Sequence, residues 1–252
     1  MYSPTMNQSH WICLQSWVPV RASRSATSEM VSSLIFGETC VVLSDDDGWL
    51  QVRTGHDNYP GFISKSNLLP LDGYKDLLWQ LVVEPFSYLR HQSKVILLSP
   101  GSRIPSNGLI TIEGEEYQWV SGLNGRRVTD LFTQAKWFLN APYLWGGRSI
   151  YGIDCSGFIQ VLGKMSGLQM PRDASQQAMV GLRKLWQNRT PGDLCYFENE
   201  GGRITHVGLL LPDDQIIHAS GKVRIDMVTP KGIIHNQTQQ LTHKLSDIRS
   251  WS

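Results

Sequence analysis

A glycine-rich loop that leads directly into a helix-like segment is the feature that most constrains the fold of this chain. The loop over 143–157 has the sequence YLWGGRSIYGIDCSG, and it is followed by apolar residues at helical spacing, Phe158, Ile159, Val161, Leu162 and Met165. This pattern predicts that Cys155 lies in the first turn of a helix. Unpaired N–H groups and the positive end of the helix dipole favour a thiolate there, so Cys155 is a candidate nucleophile.

Two histidines further along the chain lie in strand-like runs. His206 is part of ITHVGLLL and His218 is part of IIHAS. A cysteine on a helix with histidines on strands is suited to acyl transfer, because an imidazole can take the thiol proton. Helical patterns over 128–139, from Cys155 to about Gly167 and from Arg172 come before these strands. That order predicts an α+β domain with an antiparallel sheet over 126–252.

The first half of the chain has a different pattern. Up to residue 70, short alternating runs are separated by turns such as the acidic stretch DDDG at 45–48, ahead of Trp49. This predicts a small β-barrel over 1–70. With Trp-x-x-Val at 49–52 after the turn and Gly-Phe-Ile at 61–63, the segment resembles a bacterial SH3-like domain. Residues 71–125 contain further strand-like runs, and we predict a second, divergent SH3-like barrel there.

Composition argues against several classes of function. The 252 residues carry a net charge of +1 and no Lys/Arg cluster, so no nucleic-acid partner is expected. The four cysteines form no C-x-x-C pair, so we expect no disulfide framework, no metal and no cofactor. Apolar runs are shorter than the roughly 20 residues of a membrane helix, and the first residues lack a signal-peptide pattern. The expectation is a cytoplasmic monomer that does not associate with membranes.

The other cysteines and histidines have unremarkable surroundings in the sequence. We expect the cysteines to be small buried side chains at Cys13, Cys40 and Cys195. We expect the histidines to lie on the surface at His10, His56, His91, His235 and His243.

The motifs occur together in an order that resembles the NlpC/P60 cysteine peptidases. They are the loop ahead of Cys155, PGDL at 191–194, and the histidine motifs His206-Val-Gly and His218-Ala-Ser. The resemblance covers 126–252 and implies a compact papain-like α+β fold. With the barrels before it, the chain resembles the γ-D-glutamyl-L-diamino acid endopeptidases. This implies a muropeptide substrate, cleavage between γ-D-Glu and the diamino acid, and a place in murein peptide recycling.

The chemistry assigns a role to each residue of the predicted catalytic set. Cys155 would attack the amide carbonyl, His206 would carry the thiol proton to the leaving amine, and His218 would orient the His206 ring. The Cys155 backbone N–H is a candidate oxyanion donor, and the resemblance adds the side chain of Tyr143.

The resemblance also implies a set of substrate-binding residues, Asp154, Ser156 and Ser175 with Glu29 and Tyr59 of the first barrel. A Glu29 carboxylate facing the ammonium of a free N-terminal L-Ala would exclude longer, glycan-linked chains. Asp154 is in addition a candidate N-cap for the Cys155 helix.

Two other functions stay open at this point. One is a wall-binding module whose peptidase-like domain is inactive, and the other is an amidase or acyltransferase that uses the same Cys–His pair. A zinc site at His206 and His218 is a weaker alternative, because no H-E-x-x-H or similar spacing accompanies them.

Overall fold

The computed structural model describes residues 9–123 and 128–251. The chain divides into two compact units, one of Met1–Val82 with Phe86–Ser121 and one of Val83–Pro85 with Gly122–Ser252. Within the described residues, no helix combines the length and the apolar character that crossing a membrane requires.

The N-terminal unit is built from antiparallel strands. Its larger sheet has seven strands in the order β3-β2-β6-β5-β4-β1-β7, and the chain then forms a four-stranded sheet, β10-β9-β13-β12, and a pair, β11-β8. The strands are Ser9–Ile12 (β1), Trp17–Arg21 (β2), Met30–Ile35 (β3), Thr39–Asp46 (β4), Trp49–Thr54 (β5), Pro60–Ser64 (β6), Leu69–Pro70 (β7), Trp79–Leu81 (β8), Ser87–His91 (β9), Lys94–Leu98 (β10), Arg103–Pro105 (β11), Leu109–Ile112 (β12) and Glu115–Ser121 (β13).

Turn chemistry and alternation account for the larger sheet. Asp47 and Gly48 join β4 to β5 with φ of 48° and 76°, and positive φ at both residues is what a two-residue type I′ hairpin requires. Alternate residues of β2 and β5 are buried, so these strands cover a core on one face.

A second core joins the two predicted barrels. Ile12 and Phe36 from the first part pack with Leu89, Ile104 and Tyr117 from the second. The predicted boundary at residue 70 therefore lies inside one compact unit. That 71–125 is itself an SH3-like barrel stays a prediction.

The C-terminal unit has helices first and a closed antiparallel barrel after them, which confirms the predicted α+β class. The barrel strands follow one another as β16-β17-β18-β19-β20-β21, and β21 closes on β16. The elements are Leu131–Lys136 (α1), Arg148–Ser149 (β14), Gly152–Ile153 (β15), Cys155–Met165 (α2), Ala174–Gln177 (α3), Leu194–Glu198 (β16), Ile204–Leu210 (β17), Gln215–Ser220 (β18), Lys222–Thr229 (β19), Gly232–Ile234 (β20) and Leu241–Arg249 (β21).

The helices differ in length from the predicted ones. Helix α1 is shorter than the apolar pattern over 128–139, and α3 spans four residues although its pattern started at Arg172. Helix α2 begins at Cys155 as predicted. It ends before Gly167, which has a φ of 78°. Residues other than glycine rarely adopt this left-handed conformation, which commonly ends a helix.

Candidate active site

Asp154 is the N-cap that starts helix α2. Its carboxylate accepts a hydrogen bond from the Gly157 N–H at 2.7 Å, which satisfies one of the first free donors of the helix. An added Cβ at Gly157 would lie 2.2 Å from the Gly147 carbonyl oxygen, so the glycine-rich loop lies directly against this first turn. All residues of α2 except Lys164 are buried, and the helix therefore holds Cys155 in a fixed position.

Arg172 pairs with Asp154 in the interior. Its Nη1 and Nη2 donate to the two carboxylate oxygens at 3.1 and 2.5 Å, and Nη1 also donates to the Ser156 hydroxyl at 3.0 Å. Both partners of the ion pair are almost fully buried. Asp154 and Ser156 thus lie beside Cys155 in a network that fixes the loop. Their substrate-binding role stays a prediction.

The Cys155 sulfur lies against the strand that carries His206. Its thiol donates weakly to the Thr205 carbonyl oxygen at 3.9 Å, and it accepts from the Val207 N–H. These two residues flank His206 on β17. Within the described part of the chain, the hydrogen bonds of the sulfur run to backbone and not to the imidazole ring.

Cys155 is a neutral thiol at neutral pH. Burial, reinforced by the Asp154 carboxylate, raises the pKa of Cys155 to about 12, and backbone N–H groups and Arg172 offset this only in part. The prediction of a resting thiolate is therefore wrong. Desolvation outweighs the helix dipole, whose positive end is already occupied by the Asp154 carboxylate. A nucleophilic role for Cys155 therefore requires that the thiol lose its proton as it attacks.

His206 and His218 meet in the barrel interior. Nε2 of His206 lies 2.8 Å from Nδ1 of His218, with the ring planes at 84°. On its other side, Nε2 of His218 lies 3.0 Å from a carboxylate oxygen of Asp226. Burial lowers the pKa of His206 well below its usual value and also lowers the pKa of His218. Both rings are neutral at neutral pH, so His206 is able to accept a proton.

His243 is half-buried and its ring is part of this cluster, so the prediction of an ordinary surface position is wrong. It lies on β21, and its ring stacks on His206 with centroids 4.1 Å apart and planes at 26°. Burial, reinforced by His218 and opposed by Asp226, lowers the pKa of His243 to about 4. An uncharged ring stacked on His206 restricts rotation of the His206 imidazole.

Tyr143 and the start of α2 supply two hydrogen-bond donors near the sulfur. Burial raises the pKa of Tyr143 above its usual value, and negative charge on Cys155 or Asp154 would raise it further, so the phenol keeps its proton. No acceptor in the described residues is bonded to the Cys155 backbone N–H. Both groups match what an oxyanion hole needs, and that assignment stays a prediction.

The other predicted substrate-binding residues lie elsewhere. Ser175 is exposed on α3. Glu29 and Tyr59 belong to the N-terminal unit, directly before β3 and β6. Both strands pair antiparallel with β2, so they start at the same end of the sheet, and Glu29 and Tyr59 share that end. Their role stays a prediction.

Sequence reasoning missed Asp226. The hairpin register pairs His218 with Arg224 across the turn at Gly221, and Asp226 follows two positions later. Residues two apart in a strand share a face, so a β18–β19 hairpin centred on Gly221 places Asp226 on the His218 side. An aspartate placed between the apolar residues Ile225 and Met227, on the same strand face as the residue that pairs with His218, is the signal that could have identified it.

A helix-borne cysteine against a closed barrel that carries paired histidines defines an α+β domain with a cysteine–histidine site. Residues 140–242 match the model of the NlpC/P60 family, and residues 20–68 match that of a bacterial dipeptidyl-peptidase SH3 domain. The chain belongs to the NlpC/P60 family and carries an N-terminal SH3-like domain.

Individual relatives agree with this assignment. A γ-D-glutamyl-L-lysine dipeptidyl-peptidase of Bacillus subtilis (strain 168) is 29% identical over 245 residues, which cover 87% of this chain and 81% of that protein. A probable endopeptidase NlpC of Escherichia coli (strain K12) is 34% identical over 111 residues, 43% of this chain and 67% of that one. The crystal structure of an NlpC/P60 family protein from Bacillus cereus ATCC 10987 has the same fold, with a TM-score of 0.79 at 19% identity over 96% of this chain and 99% of that chain.

Proposed function

We propose that this protein is a cysteine endopeptidase that hydrolyses the bond between γ-D-glutamate and the diamino acid in muropeptides with a free N-terminal L-Ala. The observation that carries the proposal is the position of Cys155 against the strand of His206, whose ring is hydrogen-bonded to His218. Similarity to a γ-D-glutamyl-L-lysine dipeptidyl-peptidase along 87% of the chain supports the substrate class.

Acylation uses Cys155 and His206. As the sulfur attacks the amide carbonyl carbon, the thiol proton passes to the His206 nitrogen that is not bonded to His218. The C–S bond forms, and the carbonyl oxygen gains a negative charge that the Cys155 N–H and the Tyr143 hydroxyl stabilise. One such donor contributes roughly 3–4 kcal/mol to the transition state. The tetrahedral intermediate collapses to a thioester, and the amine of the diamino acid leaves with the proton from His206.

Deacylation reverses these roles with water as the nucleophile. His206 takes a proton from water, the hydroxide attacks the thioester, and the C–S bond breaks. The proton returns to sulfur, which restores the neutral Cys155 thiol. The products are L-Ala-D-Glu and the peptide that begins with the diamino acid.

The test uses two synthetic tripeptides, L-Ala-γ-D-Glu-L-Lys and L-Ala-γ-D-Glu-meso-diaminopimelate, with released L-Ala-D-Glu measured by mass spectrometry. We expect the wild type and Cys195→Ala to turn over at least one of them. Cys195 is the matched control because it is another buried free cysteine of the same unit. Cys155→Ala is expected to be inactive, and full activity in that variant would overturn the mechanism.

The free amine is tested separately with an N-acetylated tripeptide. We expect acetylation to reduce kcat/KM by at least 100-fold, and Glu29→Gln to reduce it for the free peptide but not for the acetylated one. Equal rates on the two peptides would remove Glu29 and Tyr59 from the proposal and leave the Cys155 chemistry intact.

We further propose a place in the recycling of murein peptides inside a reducing compartment. All four cysteines are free, which fits such a compartment. Cell fractionation with an antibody to the protein tests this, and recovery outside the cytoplasm would contradict it. Binding to peptidoglycan without turnover, or transfer of the acyl group to an amine, are the outcomes that would favour the two alternative functions.

A further inference from the structure

Asp226 is a buried carboxylate with four hydrogen-bonding or ionic contacts from three residues. It is 1% exposed on β19. One oxygen lies 3.0 Å from Nε2 of His218 and 2.7 Å from Nε of Arg224. The other accepts from Nη2 of Arg224 at 2.9 Å and from the Asn236 backbone N–H at 2.8 Å. Although burial alone would raise the pKa of Asp226, the bonds from His218, Asn236 and Arg224 hold it well below its usual value.

An ionised carboxylate only accepts hydrogen bonds, and this fixes the protons of both histidines. Nε2 of His218 must carry a hydrogen to donate to Asp226. Because neutral imidazole carries one hydrogen, Nδ1 of His218 is an acceptor. Nε2 of His206, 2.8 Å away, must therefore be the donor of that bond. This leaves Nδ1 of His206 without a hydrogen and able to take a proton.

We propose that Asp226 is a positioning residue that sets the tautomers of His218 and His206, so that His206 offers an unprotonated Nδ1 to the Cys155 thiol. The inference deepens the proposed function, since it assumes that His206 is the base of that reaction. The Asp226 carboxylate also places a negative charge near the imidazolium that develops on His206, and His218 links the two groups by hydrogen bonds. A neutral third residue would orient His206 without that charge.

A role in folding alone is the competing explanation. Asp226 ties Arg224 and the Asn236 turn to the barrel, so its loss would affect stability in either case. Only the positioning role requires that loss of the Asp226 carboxylate change the tautomers of His218 and His206.

The first measurement needs no variant and no substrate. Nitrogen-15 NMR of histidine-labelled wild-type protein at pH 7.5 reports which ring nitrogen carries hydrogen. We expect the Nε2–H tautomer for both His206 and His218. An Nδ1–H tautomer at His206 would overturn the proposal, whatever the substrate proves to be.

The second measurement uses Asp226→Asn. The amide can turn its NH₂ toward His218, which would reverse both tautomers and leave hydrogen on Nδ1 of His206. We expect that reversal in the spectrum, kcat for the tripeptide lower by about 10³- to 10⁴-fold, and KM within a few-fold of wild type. Unchanged tautomers, or kcat within threefold of wild type, would refute the proposal.

The matched control is Asp214→Asn, which changes a half-exposed aspartate of the same unit that accepts from Nε of Arg189 at 2.9 Å. It should leave the tautomers and kcat unchanged. If neither protein cleaves a tripeptide, the proposed substrate is wrong, and the tautomers of the wild type and of Asp226→Asn still decide the role of Asp226. If Asp226→Asn does not fold, the wild-type spectrum still tests the proposal, because an Nδ1–H tautomer at His206 would overturn it.

Discussion

Gly208 faces His218 across the β17–β18 pair, and an added Cβ at Gly208 would lie 2.9 Å from the His218 Cβ and 2.7 Å from Cδ1 of Ile216. The glycine two positions after His206 therefore makes room for the second histidine of the site. This gives the His-Val-Gly motif a physical reason. The motif thus combines His206 with the glycine that leaves space for the side chain of His218.

We predict that Gly208→Ala damages stability and activity together. Overpacking of this kind lowers the free energy of unfolding by about 1–3 kcal/mol. The displaced His218 should lower kcat by at least tenfold. Urea unfolding and tripeptide turnover measure the two effects.

The control for this substitution is Gly201→Ala. An added Cβ there meets only Oδ1 of Asn199, at 3.4 Å, so little should change. Wild-type kcat in Gly208→Ala would show that His218 tolerates displacement.

Arg172→Met is predicted to be strongly destabilising. The substitution leaves the buried Asp154 carboxylate without its cation, which typically costs about 3–5 kcal/mol in free energy of unfolding. Because Arg172 lowers the pKa of Cys155, its loss should also slow alkylation of the thiol. Chemical unfolding and the rate of iodoacetamide labelling are the measurements.

Arg183→Met provides the comparison. Arg183 pairs with Asp247 at 2.8 Å, but its side chain is 71% exposed, and such pairs contribute about 0–1 kcal/mol. Equal losses in the two variants would mean that Arg172 and Asp154 do not form a buried pair.

Cys155 should show the reactivity of a neutral thiol. With its pKa raised to about 12, the thiolate fraction rises about tenfold for each pH unit below that value. The measurement is the iodoacetamide labelling rate of the wild type, from which the rate of Cys155→Ala is subtracted as background. We predict that the logarithm of this corrected rate increases with pH with a slope near one between pH 6 and 9. A plateau that begins below pH 8 would instead indicate a preformed thiolate–imidazolium pair.

The parts of the site that depend on local pattern could be predicted from the sequence. The apolar period that starts after Asp154 locates the first turn of α2 and its cysteine. The apolar runs around His206 and His218 locate two adjacent strands. In each case, the deciding signal lies within about ten residues of the functional group.

The parts that depend on distant segments could not be predicted. Arg172 reaches Asp154 from 18 residues away, beyond helix α2 and the loop that follows it, and no spacing rule anticipates that pair. Strand β21 has charged residues on its outer face and a weak apolar pattern, so His243 gave no sign of burial. The pKa of Cys155 reflects burial by the whole unit, which outweighs the local effect of the helix.

Acid should destabilise the protein through its histidine cluster, and His243→Phe isolates one contribution. The pKa of His243 is about 4 in the folded protein and about 6.5 in a model peptide. Between these two pKa values the unfolded chain binds more protons than the folded protein. The contribution of His243 to the free energy of unfolding is therefore fully present above pH 6.5 and is lost as pH falls toward 4.

Phenylalanine at position 243 keeps a flat ring beside His206 but cannot titrate. Between pH 7 and 5, we expect the wild type to lose on the order of 1 kcal/mol more unfolding free energy than the variant, after allowance for solvent screening of a partly exposed ring. Urea unfolding at both pH values measures the difference. Parallel losses in the two proteins would show that His243 takes up its proton as readily when folded as when unfolded.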